Sequence, residues 1–306
     1  MLDVHRLRVL REIAHRGTLT AAAKALYLTP PSVSHHVAAL EQETGVKLLE
    51  RVGRRVRLTP AAQRLVKSSE GVFAALERAE AELALTRDEV VGEVTIASFM
   101  SALKAVVIPA LSGLAANYPS LCVSVVDVDQ PASINQLRSG QVDIAIGLDF
   151  TMEPVPQESD LDYEPLLSEP VYLALPSSHP RADGPVSIAD LSCERWITPA
   201  DDPCRQAVLQ SAAYCGFTPE VGIVSSGHYE VIPTAVAAGF GVTLFPATAL
   251  IGNLEPGIAI HPLTDVPLRR RIFAMMREGS RANPAIAAAL GALKERADVL
   301  AATFQR

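Results

Sequence analysis

Apolar residues recur at helical spacing from the start of the chain. Leu7, Leu10, Ile13 and Ala14 lie on one face, and Gly17 ends that run. Thr18 or Thr20 can cap a second, short helix over "AAAKAL", and the link "YLT" follows. The next stretch, "LTPPSVSHHVAALEQETG" (28–45), joins two prolines to two histidines. Thr29 there is an N-cap, so Pro30 and Pro31 fall at the first two helical positions, where a missing N–H costs nothing and φ is already helical. Val33, Val37 and Leu40 form the core face of this helix, and Gly45 closes it. Ser32, Ser34, His35, Ala38 and Ala39 lie off that face, with His36 near its edge. "VKLLERVGRRVRL" (46–58) predicts a hairpin turning at 52–55.

Thr59 and Pro60 repeat the cap-then-proline signal and open a helix reaching about residue 88. Its Leu65, Ser69, Val72, Leu76, Ala79 and Leu83 alternate at spacings of four and three, a heptad seam that needs a partner surface. That partner is either a second chain or the body of the same chain. From Gly92 onward, strand-like and helix-like segments alternate. "EVTIAS", "CVSVVDV", "VDIAIGL", "EPVYLALP", "EVGIVSS", "GVTLFP" and "LRRRIFAMMRE" read as strands, separated by helical runs up to a last helix over 283–304. This order predicts a mostly parallel α/β body with two lobes. The uncharged stretch 231–254 holds two prolines and three glycines, so it reads as helix, glycine stop and short buried strand, not as a membrane span.

Charge sharpens the division. Residues 1–66 hold eleven Lys/Arg against five Asp/Glu, a net +6; the whole chain is −7, so the remainder carries −13. A basic head on an acidic body points to a polyanion as the partner of the head. Serine and histidine at the start of a helix can meet phosphates or base edges, and arginines on a hairpin can enter a minor groove. The candidate DNA-binding residues are therefore Thr29, Pro30, Ser32, Ser34, His35, His36, Arg51, Arg54 and Arg55. The plainer alternatives are surface histidines and an Arg51 that merely pairs with Glu50. His35 and His36, being adjacent, diverge by about 100° on a helix and cannot clasp one metal as an i, i+4 pair could.

Helix, short helix, tight turn, polar-faced helix and basic hairpin is a winged helix-turn-helix order. The segment "TLTAAAKALYLTPPSVSHHVAALEQETGVKLLERVGRRVRLTPAA" resembles the DNA-binding domain of LysR-type transcriptional regulators, with the AA-x-x-L helix, the T-x-P-S-V-S start, the A-L-E-x-x-x-G close and the R-L-T-P-A end in register. Two positions depart from the family pattern. Pro30 stands where glutamine is common, which implies a different operator preference, and Ala62 stands where glycine is frequent.

The resemblance extends over the whole chain. It implies a winged helix-turn-helix at 1–58, a dimerising linker helix at 59–90, and a two-lobed α/β effector domain at 91–306 similar to periplasmic binding proteins. Lobe I would take about 91–164 and 268–306, and lobe II about 165–267. It also implies linker-helix dimers, often assembled into tetramers, an interrupted palindrome as operator, and RNA polymerase as a further partner.

In such sheets a ligand sits at the carboxyl ends of strands. That places Ser98, Ser101, Asp127, Asp149, Thr198, Asp201, His228 and Phe245 as effector-site candidates. The hydroxyls and helix starts suit a carboxylate, although Ser101 serves equally as an ordinary cap. The loop aspartates suit a cation, although turns commonly use them too. A small anionic or amphoteric metabolite is the expected effector.

Cys122, Cys193, Cys204 and Cys215 form no CxxC pair, which fits a reduced, cytoplasmic protein. Some relatives sense oxidants through a disulfide, so Cys204 and Cys215 carry an alternative redox reading. The chain shows no GxSxG, HExxH, P-loop or strand-linked GxGxxG, and no metal-spaced Cys/His/Asp set, so neither catalysis nor a cofactor is expected. The N-terminal stretch has charges throughout and no apolar core, unlike a secretory signal. A small-molecule-binding protein without DNA binding is the rival reading, and it would have no use for the basic winged head.

Overall fold

The head is built from capped helices. Helix α1 (Val4–Arg16) starts at Asp3, whose carboxylate accepts from the Arg6 N–H at 2.9 Å. Helix α2 (Leu19–Ala25) starts at Thr18 and helix α3 (Pro30–Thr44) at Thr29, each hydroxyl accepting the N–H three residues on, at 3.1 and 3.3 Å. Gly45 takes φ +68, a left-handed cap that favours glycine. Strands β1 (Leu49–Val52) and β2 (Arg55–Leu58) pair antiparallel as the wing. Helix α4 (Pro60–Leu85) then begins at the Thr59 cap. The computed structural model describes residues 1–304 apart from 53–54, 87–88, 153–156, 201–202, 226–230 and 253–254, with backbone alone for 51–52, 55 and 224–225.

Two apolar clusters hold the head together. Val9, Ile13, Ala22, Ala23, Val33 and Val37 join α1, α2 and α3. Leu7, Leu10, Leu40, Leu48, Ala62 and Phe73 join α1 and α3 to the linker helix α4. Burying such a leucine stabilises by about 1.5–3 kcal/mol, so α4 is anchored at its N-terminal half.

In the body, β3 (Gly92–Ser98) leads into one long apolar helical stretch: α5 (Met100–Ala102), a π-helical segment (Leu103–Val107) and α6 (Ile108–Asn117). Pro109 has no N–H to donate within the helix, which accounts for the local rearrangement, and the Arg296 guanidinium donates to the Ala105 carbonyl at 2.9 Å. By length and composition this stretch could cross a membrane, but it packs against the last helix as a core element. There follow β4 (Leu121–Asp127), α7 (Ala132–Ser139), β5 (Ile144–Phe150) and the long β6 (Leu161–Pro176). Then come β7 (Arg195–Pro199), α8 (Pro203–Tyr214), β8 (Glu220–Ser225), α9 (Val231–Ala237), β9 (Thr243–Pro246), β10 (Ile258–Pro262), β11 (Arg269–Arg277) and α10 (Pro284–Phe304).

The main sheet runs β10-β6-β11-β5-β3-β4, with β9 also on β6. Among the described strand pairs, only β3 with β4, β3 with β5, and β7 with β8 are parallel. The expected mostly parallel body is therefore mixed. The chain crosses between lobes twice, on β6 and β11, and these two strands run antiparallel to one another over Arg269–Arg277. The first half of β6 belongs with β11, β5, β3 and β4, the second half with β9 and β10. Strand β10 had no clear signal in the sequence, because its residues are only partly buried. Residues 231–250 do form helix, glycine turn and buried strand.

Candidate DNA-reading surface and effector cleft

The start of α3 stands clear of the head core. Thr29, Pro30, Pro31, Ser34 and His35 are exposed and Ser32 is half-buried, while Val33, Val37 and Leu40 point inward. Ser34 donates its hydroxyl to the Pro30 carbonyl at 3.0 Å. The two histidines separate as their 100° offset requires. His35 is exposed, whereas His36 is half-buried with its ring edge-on to His5 at 4.8 Å. Desolvation, then the neighbouring His5 and His35, push the His36 pKa down. His36 is thus a seam between α1 and α3, and His35 is the exposed one of the two.

The wing backbone pairs Arg51 with Val56 and Val52 with Arg55, which sets Arg51 and Arg55 on a two-stranded arm beside α3. Arg54 lies outside the described residues. Arg57 is tied to Glu50 at 2.7 Å. Tyr27, not singled out in the sequence, adopts φ +53 in the turn before α3 and is 85% exposed. A large aromatic held in that conformation beside a recognition helix is a further candidate phosphate contact. The sequence signal was weak, a lone tyrosine in a three-residue link.

In the body, candidate residues divide by what they touch. Ser98 is fully buried, with its hydroxyl on the Phe99 carbonyl at 3.3 Å. Ser101 is half-buried and accepts from Arg270 at 3.0 Å. Thr198 is fully buried and accepts from the Arg205 guanidinium at 3.2 Å. Asp127 is exposed at the end of the edge strand β4. Asp149 is no bare carboxylate for a cationic ligand, because Arg271 grips it bidentately at 2.7 and 2.6 Å. That bond raises the Arg271 pKa.

Phe245 is a correction. It is 1% exposed and packs with Ala174, Ile197, Ile232, Ala235 and Val236 in the core of lobe II. Asp201 and His228 lie outside the described residues. Arg205 and Arg271 are polar groups that sequence reasoning missed, since each owes its place to a partner distant in the chain or across a turn.

Cys204 and Cys215 stand eleven positions apart along α8 and its end, about 16 Å of helix rise. A disulfide needs Cα atoms within about 7 Å, so these two cannot bridge in this fold. Burial, with Asp265 beside it, pushes the Cys215 thiol up to about 11.

His15, Glu70 and Asp160 bring three possible metal-ligand atoms within 4.8 Å of one another. Arg138 already holds Asp160 bidentately, and Arg11 holds Glu70. Desolvation, with Arg138, Arg11 and Arg16 nearby, pulls the His15 pKa down to about 4. The same positive field opposes a dication.

Two family descriptions account for nearly the whole chain. Residues 4–63 match the bacterial regulatory helix-turn-helix protein of the lysR family, and residues 87–298 match the LysR substrate binding domain. The chain belongs to the LysR family. It is a LysR-type transcriptional regulator with a DNA-binding helix-turn-helix head and an effector-binding body.

Among relatives of this LysR-type chain, the probable HTH-type transcriptional regulator LrrA of Synechococcus elongatus is 28% identical over 302 residues, covering 99% of this chain and all of LrrA. The DNA-binding transcriptional dual regulator OxyR of Escherichia coli is 28% identical, covering 91% and 90%. A full-length OxyR variant from Pseudomonas aeruginosa shares the fold with a TM-score of 0.63 at 23% identity, covering 96% of this chain and 98% of that one. Full-length CbnR in complex with its target DNA does so with a TM-score of 0.57 at 20% identity, covering 96% and all of that chain.

Proposed function

We propose that this LysR-type regulator reads an interrupted palindrome in promoter DNA as a homodimer or homotetramer in the cytoplasm. The α3 N-terminus would meet base edges, and the Arg51–Arg55 wing the adjacent minor groove. The assigned roles follow the segments 1–58 for DNA, 59–90 for pairing and 91–306 for effector sensing. The observation that carries this reading is the pair of surfaces left uncovered in one chain. One is the exposed start of α3, with Ser34 and His35 outward. The other is the α4 stripe, where Val72, Leu76 and Leu83 are 42, 40 and 69% exposed while Phe73, Ala74 and Ala81 face the chain's own head and body. A heptad stripe with its opposite face already buried calls for a second copy.

We infer an anionic small molecule as effector. Arg205 brings a guanidinium group to Thr198 at the end of β7, and Arg271 neutralises Asp149 at the end of β5. RNA polymerase is a further proposed partner.

Binding of the full-length protein to its own upstream DNA across a salt series, with non-specific competitor present, tests the DNA reading. Specific complexes with a two-fold footprint are expected. Failure of the folded protein to bind at low salt would refute it. Sedimentation of the free protein tests the stripe, and a monomer at micromolar concentration would refute pairing through α4.

A further inference from the structure

The head is not joined to the body by the linker alone. Among the described residues, three hydrogen bonds cross directly between them. Arg11 of α1 donates to the Arg138 carbonyl at 3.0 Å, and Arg16 to the Asn135 carbonyl at 3.2 Å. From the body side, Gln141 donates to the Ala25 carbonyl at the end of α2, at 3.2 Å. All three converge on the C-terminal end of α7. That end carries the negative pole of the helix dipole and, at Arg138, a last-turn carbonyl with no partner inside the helix, so cationic donors suit it; the Asn135 carbonyl lies three residues earlier. The body adds its own arginine: Arg277 donates to the Leu137 and Val142 carbonyls at 3.1 and 2.8 Å and reaches Glu77 of the linker at 2.5 Å.

The other end of α7 lies at the effector side of lobe I. The Val128 N–H bonds the Ser98 carbonyl at 3.0 Å, and Gln130, just before α7, accepts from the Leu148 N–H at 3.2 Å. Ser98 and Leu148 lie at or near the ends of the two strands that flank the candidate cleft. The segment that leads into α7 therefore touches backbone at the candidate effector site, and the helix ends at the DNA head.

The contact is polar and loosely filled. Unpartnered among the described residues are the buried Arg11 Nε, Glu12 Oε1 and His15 Nδ1 of α1. A cavity of about 280 Å³ opens alongside, between α1, α4 and lobe I. Buried polar atoms left without partners favour a junction that can part and be hydrated. The linker is held differently. Gly279 lies so close to α4 that a Cβ there would stand 2.5 Å from the Ala74 carbonyl. The linker is thus pressed onto lobe I at Ala74, next to Phe73, which packs in the head core. Docking uses α1 and α2 and leaves the start of α3 exposed, so a docked head can still face DNA.

We propose that the C-terminal turn of α7 is a seat for the DNA head of the same chain and sets the head's orientation. Half-site spacing would then be fixed within each subunit as well as by pairing between subunits. This rests on the DNA-binding reading of the head.

The test uses full-length protein carrying Arg16→Ala with Gln141→Ala, and Gln141→Ala alone as a body-side variant outside the head's own fold. Two readouts are needed. The first is amide hydrogen exchange without DNA, where faster exchange over residues 11–25 and 132–142, with 30–44 unchanged, is expected. The second is affinity for two copies of a half-site from the protein's upstream DNA, with the spacer varied in single base pairs over one helical turn. The wild type is expected to discriminate between spacers by about tenfold or more, and the double variant by about threefold or less, within the range of ordinary site-to-site coupling. Single half-site affinity is expected to stay unchanged. Unchanged exchange would overturn the seat. An unchanged spacer profile would overturn its role in setting geometry. A wild type that binds no half-site would instead count against the DNA reading, and the exchange readout would still decide the seat.

Discussion

Arg270 and Glu169 form an ion pair on the two strands that cross between the lobes, and removing one partner should unfold the body early. Arg270 is 2% exposed and Glu169 is fully buried. Arg270 Nε lies 2.7 Å from Glu169 Oε1, and its Nη2 donates to Ser101 Oγ at 3.0 Å and to the Thr248 hydroxyl. Glu169 also accepts from the Thr248 N–H at 2.6 Å, which ties the network into lobe II. Arg270→Met keeps most of the volume and strips Glu169 of its counter-charge. The carboxylate retains the Thr248 donors, so the cost falls at the lower end of the range for breaking a buried pair, about 3 kcal/mol. Loss of the guanidinium from above Phe99, now 5.3 Å from the ring centroid, adds roughly 0.5 kcal/mol. For a body of this size that is a fall in Tm of about 10 °C. Urea denaturation followed by fluorescence of Trp196, the one tryptophan and fully buried in lobe II, reads it out. Glu169→Gln alone should also destabilise, because it leaves the arginine buried without its charge partner. The double variant Arg270→Met/Glu169→Gln should recover a large part of the loss, since no charge then stays buried. A loss below about 1 kcal/mol in Arg270→Met, or a double variant as unstable as the two singles added together, would refute the argument.

Other consequences are equally open to measurement. Gly279→Ala forces a side chain into φ +89 and against the Ala74 carbonyl, so thermal denaturation should show a loss of about 2 kcal/mol or more; wild-type stability would mean that α4 is not pressed onto lobe I there. His15 is held near pKa 4 against an ordinary 6.5, so the folded state disfavours its protonation. Stability from this group is complete above pH 6.5 and declines as pH falls towards 4, by at most about 3 kcal/mol; His15→Gln should flatten the slope in that window, and an unaltered slope would exclude His15 as its source. Arg54→Ala should weaken DNA binding across all sequences and lower the salt slope by about one, whereas His35→Ala should relax preference at one base position, by about 1–3 kcal/mol. A uniform loss for His35→Ala would remove its base-reading role.

Local chemistry decided a large part of this protein. Thr29 ahead of Pro30 and Pro31 forces a helix start at that point, whatever surrounds it, because the hydroxyl, the missing N–H groups and the fixed φ all act within one turn. Gly45, the wing hairpin and the Thr59 cap follow from the same short-range rules, and together they spell out the head in order. Spacing alone marked the heptad stripe on α4, but not its fate: Leu65 packs against the chain's own head and Ser69 is buried, while Val72, Leu76 and Leu83 stay exposed. The body was legible as alternating elements but not as a mixed sheet, since strand direction depends on where the chain crosses between lobes. Side-chain fate there escaped the sequence. Phe245 turned inward, Asp149 met Arg271 from a strand 122 residues away, and Arg270 disappeared beneath Ser101 beside two neighbouring arginines. Charge and hydropathy say what a residue would accept as a neighbour; only the tertiary packing decides which neighbour arrives. The seat of the head on α7 is the extreme case, because a carbonyl is present at every residue and no pattern in the chain marks Asn135 or Arg138 as the one that an arginine of the head will find.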